Sequence, residues 1–76
     1  MITPIDSMVE YALNRISEAL TNNPDRDDIL GSLADEIHEG IDIIEANSDD
    51  VLKEVRDYLS DLMEEFEINN PFGDYF

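Results

Sequence analysis

Apolar residues recur at every third or fourth position through three stretches of this chain, and each stretch opens on its own helix-start signal. Such spacing gathers apolar side chains on one face of a helix and excludes strands, whose faces alternate at every second residue. The first stretch aligns Ile5, Met8, Val9, Ala12, Leu13, Ile16, Ala19 and Leu20; the second aligns Ile29, Leu30, Leu33, Ile37, Ile41 and Ile44. The third aligns Val51, Leu52, Val55, Tyr58, Leu59, Leu62, Met63 and Phe66. Helices that each expose one apolar face bury it against one another, and short connections make neighbours antiparallel. The expectation is an all-α fold: a small antiparallel three-helix bundle, one domain over 1–76, with helices about 4–21, 24–46 and 49–68 and a short tail, 69–76.

The boundaries follow from capping chemistry. "TPID" sets Thr3 as N-cap, Pro4 at the first helical position and Asp6 three residues after the cap, a capping-box arrangement. "NNPDRDD" repeats the grammar, with Asn23 as cap, Pro24 first in the helix and acids in the first turn, where they complement the helix dipole. In "ANSDD" Ser48 is the expected cap, with Asp49 and Asp50 in the first turn, and "NNP" at 69–71 is the expected stop. Two glycines interrupt the second stretch. Gly40 costs about 1 kcal/mol relative to alanine inside a helix. Gly31, followed by Ser32 and Asp35 as a second capping box, could split the stretch. The reading is one long helix, kinked or straight at these glycines, with two short helices as the alternative.

Charge limits what such a chain can meet. Twenty acidic residues against four basic ones leave a net charge of −16 on 76 residues. Self-repulsion on that scale weakens a compact state, and a chain this short has a core supplying only ~3–5 kcal/mol of net stability. The composition is still not that of a disordered chain, because 42% of it is hydrophobic and placed at helical spacing. An anionic surface repels nucleic acid and anionic lipid, which argues against direct DNA, RNA or membrane binding and leaves a basic protein surface as the attracted partner. The absence of cysteine, of a long apolar run and of a basic leader makes a cytoplasmic protein the expectation.

The acids are also patterned. Asp50, Glu54, Asp57, Asp61 and Glu64 step by four, three, four and three residues, which keeps them on one stripe opposite the apolar face. Asp28, Asp35, Glu39 and Asp42 form a second stripe, with Ser32 in the gap. Each stripe runs about 21 Å at 1.5 Å rise per residue. Over that length a DNA duplex carries roughly twelve phosphate charges, and the two stripes together present nine carboxylates. A polar outer face is ordinary for a bundle helix, and high-salt adaptation would also favour acids, although nine isoleucines and six asparagines fit that less well than the single lysine does. Ordinary helix surfaces, however, mix signs, since each Glu–Lys pair at i, i+4 contributes ~0.2–0.5 kcal/mol and like charges cost a similar amount. Glu64, Glu65 and Glu67 near the end of the third helix oppose its dipole by ~0.3–1 kcal/mol each. Helix stability alone does not select this pattern.

Motifs for catalysis or cofactors are absent. "HEGID" places Asp35, His38 and Asp42 on one side of a helix, an incomplete metal-ligand spacing without further histidine or cysteine. "DRDDILGSLADE" has acids at positions one, three and twelve of a calcium loop but Leu30 where its glycine belongs. With one histidine and no cysteine, the chain offers no nucleophile–base pairing. The reading is therefore a non-enzyme without metal or cofactor. "LSDLMEEFEI" resembles a late helix of acyl carrier proteins, but the serine that would carry their prosthetic arm is replaced by a residue near Leu52, and that reading is set aside. "PFGDYF" resembles the acidic tips of single-stranded-DNA-binding proteins, a likeness that implies docking through Asp74, Tyr75 and Phe76. Packing of Phe72 or Phe76 over the bundle is the competing expectation for the tail.

Together these features predict an acidic, DNA-mimic-like inhibitor or regulator of a basic nucleic-acid-binding protein, monomer or homodimer. It resembles, in size and charge, the small proteins that phages and mobile elements aim at CRISPR, restriction and polymerase machinery. An immunity protein or antitoxin covering a basic toxin is the alternative, with Tyr11, Tyr58 or Tyr75 as apolar hot spots. A homo-oligomeric adaptor, its thin core completed by a second copy, is another.

Overall fold

The computed structural model describes residues 3–73, and they form three helices: α1 (Pro4–Ala19), α2 (Arg26–Asn47) and α3 (Val51–Glu65). α2 runs antiparallel to both neighbours. Arg26 at its start bonds Ser17 near the end of α1, and Ile29 shares a groove with Phe66 at the end of α3. At its other end Asp42 and Glu45 share a groove with Thr3 and Asp6 at the start of α1. α1 and α3 are consequently parallel, and they form the most extensive helix pair in a body of 38 × 25 × 25 Å. The three-helix bundle read from the apolar spacing is the observed architecture.

The core is built from i, i+4 ridges. Met8, Ala12, Ile16 and Leu20 from α1 meet Leu33, Ile37 and Ile41 from α2 and Val55, Leu59, Leu62 and Met63 from α3. Ile5, Val9, Leu13, Ile29, Leu30, Ile44, Val51, Tyr58 and Phe66 pack half-buried around them. Two expected core residues lie outside. Each i, i+4 step turns the buried ridge of α1 by ~40°, so by the last turn the core faces Leu20 and Ala19 is exposed. Leu52, 49% exposed, sits in the first turn of α3 at the open end of the bundle.

Thr3 caps α1 as expected: its hydroxyl accepts from the Asp6 N–H at 3.1 Å and the Asp6 carboxylate accepts from the Thr3 N–H at 3.5 Å. The other two starts fall later than the sequence suggested. Asn23 does not cap α2; its side-chain oxygen accepts from the Asp25 N–H at 2.8 Å, which forms a local turn holding Pro24 before the helix and makes Asp25 the N-cap. Ser48 terminates α2 instead of starting α3, and Asp50 takes the capping role, accepting from the Lys53 N–H at 3.4 Å. α2 itself is a single helix through both glycines, so the split at Gly31 does not occur.

α3 ends at Glu65, earlier than the expected 68. The Glu67 N–H donates to the Glu64 carbonyl at 2.9 Å and the Ile68 N–H to the Met63 carbonyl at 3.2 Å, the paired bonds of a Schellman termination. Glu67 holds the left-handed position, at φ 63°, which usually falls to glycine. Met63 and Ile68 are both buried across this reversal, the apolar contact that favours it. Beyond it, Phe72 is buried against α1, its ring edge-on to Tyr11 at 5.3 Å.

Candidate partner-binding surface

The four basic residues are few enough to follow individually. Arg15 donates to the Pro71 carbonyl at 2.7 Å, the Asn70 carbonyl at 3.3 Å and the Tyr11 hydroxyl at 3.3 Å, while its guanidinium lies 5.8 Å from the centre of the Tyr11 ring. It ties the chain after α3 to the side of α1. Arg26 donates through Nε to Ser17 Oγ at 3.1 Å, and its terminal nitrogen donates to the same oxygen. Lys53 and Arg56 both approach Asp57, at 3.7 and 3.4 Å.

The outer face of α2 therefore carries Asp28, Asp35, Glu39 and Asp42, all exposed, with no lysine or arginine anywhere in the helix after Arg26. On α3, Asp50, Glu54, Asp57, Asp61 and Glu64 are likewise exposed, but the stripe is not uniform. Asp50 is engaged as the helix cap, and Asp57 is flanked by the two bases of α3. Such exposed pairs contribute ~0–1 kcal/mol to stability, yet their two positive charges offset the carboxylates in the middle of the stripe. Asp74, Tyr75 and Phe76 lie outside the described residues.

α2 and α3 do not meet through these stripes. Gly40 packs against α3 at the seam: a Cβ there would lie 2.7 Å from the Tyr58 ring. The Tyr58 hydroxyl donates to the Glu36 carbonyl at 3.2 Å, one turn before Gly40. The seam thus lies about a quarter turn around each helix from the acidic stripe. The acids nearest it are Glu36 and Glu65, joined by Glu39 at the seam-side edge of the α2 stripe, and burial together with these three carboxylates raises the Tyr58 pKa above its ordinary value. Glu36 and Glu65 were not anticipated, because their gathering depends on how α2 and α3 are rotated about their axes. A glycine and a tyrosine in facing helices were the available signal.

His38 is exposed and lines a shallow groove with Asp6, Asp42 and Glu45. Among the described residues no group of three or more His, Cys, Asp or Glu is arranged to hold a metal ion. No helix among them is long and apolar enough to cross a membrane. Comparison with protein-family models, curated proteins and solved structures returns no match.

Proposed function

We propose that this protein is an acidic, DNA-mimic-like inhibitor or regulator that occupies the basic nucleic-acid-binding surface of another protein. The carrying observation is the fate of its bases. Arg15 and Arg26 are turned onto atoms of the chain itself and Lys53 and Arg56 onto Asp57, so the outer face of α2 presents carboxylates without compensation. Over 38 Å, the length of the bundle, a duplex carries ~22 phosphate charges; the protein sets a net −16 against that. Asp28, Asp35, Glu39 and Asp42 are the principal phosphate surrogates in this reading, with Glu54, Asp61 and Glu64 as the second row and Asp50 and Asp57 in lesser roles. Proteins of this kind serve phages and mobile elements as counter-defence or host-takeover factors. Of the anchors that a toxin-neutralising role would draw on, Tyr11 and Tyr58 are engaged within the bundle, and Tyr75 lies outside the described residues.

Immobilised protein exposed to a bacterial lysate and washed at ~50 and then ~200 mM salt tests this, because phosphate-type contacts weaken by orders of magnitude over that interval. The expected result is a nucleic-acid-binding protein held at the lower salt, released at the higher, displaced by duplex DNA and not captured by an Asp35→Lys, Asp42→Lys variant. Partners that withstand salt and ignore DNA, or no partner, overturn the reading.

A further inference from the structure

The start of α2 and the end of α3 border an open groove of about 440 Å³ that adjoins the α2 stripe at Asp28 but has an apolar floor. Ile29 and Leu33, on successive turns of α2, form its floor with the Phe66 ring, and Asp25, Asp28 and Glu36 form its rim. Phe66 closes α3, and the Schellman bonds that follow it fix the direction of the chain on either side. Arg26, the base nearest in sequence, is turned onto Ser17, and among the described residues no cation lines the groove. An apolar floor bordered by three carboxylates and the Ser32 hydroxyl repels acidic or phosphate-bearing ligands and attracts a group with the opposite arrangement.

We infer that this groove seats the apolar anchor of a cationic amphipathic segment, one leucine-sized or aromatic side chain flanked by lysine or arginine, on the partner protein. The inference rests on the reading above for the partner's positive charge and adds an apolar contact to it. Charge complementarity selects the occupant: a second copy of this chain would bring another −16 to the site, whereas a basic segment places its cations on Asp25, Asp28 and Glu36 as its anchor covers Ile29 and Phe66. The volume falls within the ~300–1,000 Å³ typical of ligand pockets. Electrostatic attraction sets the encounter rate, and burial of the anchor slows dissociation and fixes register along the stripe.

The experiment uses the intact protein and two short synthetic amphipathic peptides, both with a lysine face, one carrying leucine and tryptophan on its apolar face and the other alanine in their place. Binding is followed by titration calorimetry, and backbone amide shifts locate it. The anchored peptide is expected to bind ~10-fold or more tightly than the alanine peptide. Its shifts should centre on Ile29, Leu33 and Phe66, and its affinity should fall less between low and high salt. Ile29→Gln should remove the difference between the peptides, and Asp28→Lys, at an exposed position that leaves the core intact, should weaken the anchored peptide. Equal binding of the two peptides, or shifts centred on Asp35 and Asp42, overturns the groove while leaving the acidic-surface reading in place. Failure of both peptides to bind at low salt overturns both.

Discussion

The side of α1 that carries Arg15 and the outer face of α2 treat charge in opposite ways. On α1 one guanidinium gathers two carbonyls and a phenol and brings Phe72 against Tyr11. On α2 four carboxylates stand exposed with no base to meet them. Had stability shaped both surfaces, more bases would lie among the acids at i, i+4 spacing, as Lys53 does with Asp57. The contrast shows that two of the four cations, Arg15 and Arg26, serve as fasteners, while Lys53 and Arg56 offset Asp57 on α3. Neutralisation is left undone on the outer face of α2.

The strongest test of the fastened side is Phe72→Ala. Truncating a buried phenylalanine costs ~3 kcal/mol or more, comparable to the ~3–5 kcal/mol a chain of this size has available. Thermal unfolding followed by circular dichroism should therefore show a large fall in Tm, or a chain largely unfolded at room temperature. Arg15→Ala should cost about 1–2 kcal/mol in urea melts, through charge-assisted bonds left unmade at the Asn70 and Pro71 carbonyls. Arg15→Lys should recover only part of that, since an ammonium lacks the planar fork that spans several acceptors. A full recovery would mean that charge alone, not geometry, fastens the tail.

The two glycines of α2 sharpen the comparison within a single helix. Gly40→Ala should lose ~1 kcal/mol net, because crowding the Tyr58 ring outweighs the gain in helix propensity. Gly31→Ala, where nothing lies within 4 Å, should gain ~0.5–1 kcal/mol. Equal and opposite responses in the same assay would separate the packed side of α2 from its open side. Asp35→Lys combined with Asp42→Lys should change stability by no more than ~0.5 kcal/mol. That would identify the outer face as dispensable for folding. A marked loss would show that those acids hold the fold.

The smallest effect concerns Tyr58. Its phenol is raised above the usual ~10, so the neutral form favours the folded state. That contribution is complete below the unfolded value and is lost as pH rises through the folded one. Wild type should accordingly lose stability at alkaline pH more steeply than Tyr58→Phe, and parallel curves would show that neither burial nor the seam carboxylates raise this phenol.

Elements and core were legible in the chain because helical spacing is a local property: every i, i+4 ridge found in the bundle is visible as a repeat. Boundaries were less so. Asn23 and Ser48 have the right chemistry for caps, but each competes with a turn or with the preceding helix end, and one extra hydrogen bond decides the outcome. The left-handed Glu67 gives no warning, since no glycine marks it. The exposed stripes could be read from sequence, because anything opposite a core residue points outward. Glu36 and Glu65 beside Tyr58, and the groove over Ile29 and Phe66, required the relative rotation of two helices, which no spacing within either one encodes.

The Arg15 clamp also has a kinetic meaning. Its bonds join positions 55 and 56 residues apart, whereas the helices and the turns between them assemble from near neighbours. Contacts of such long separation close a large loop and tend to form after the local ones. Weakening the clamp should then leave the refolding rate nearly unchanged and raise the unfolding rate. The tail would govern how long the native state lasts once formed, and have little say in how quickly it is reached.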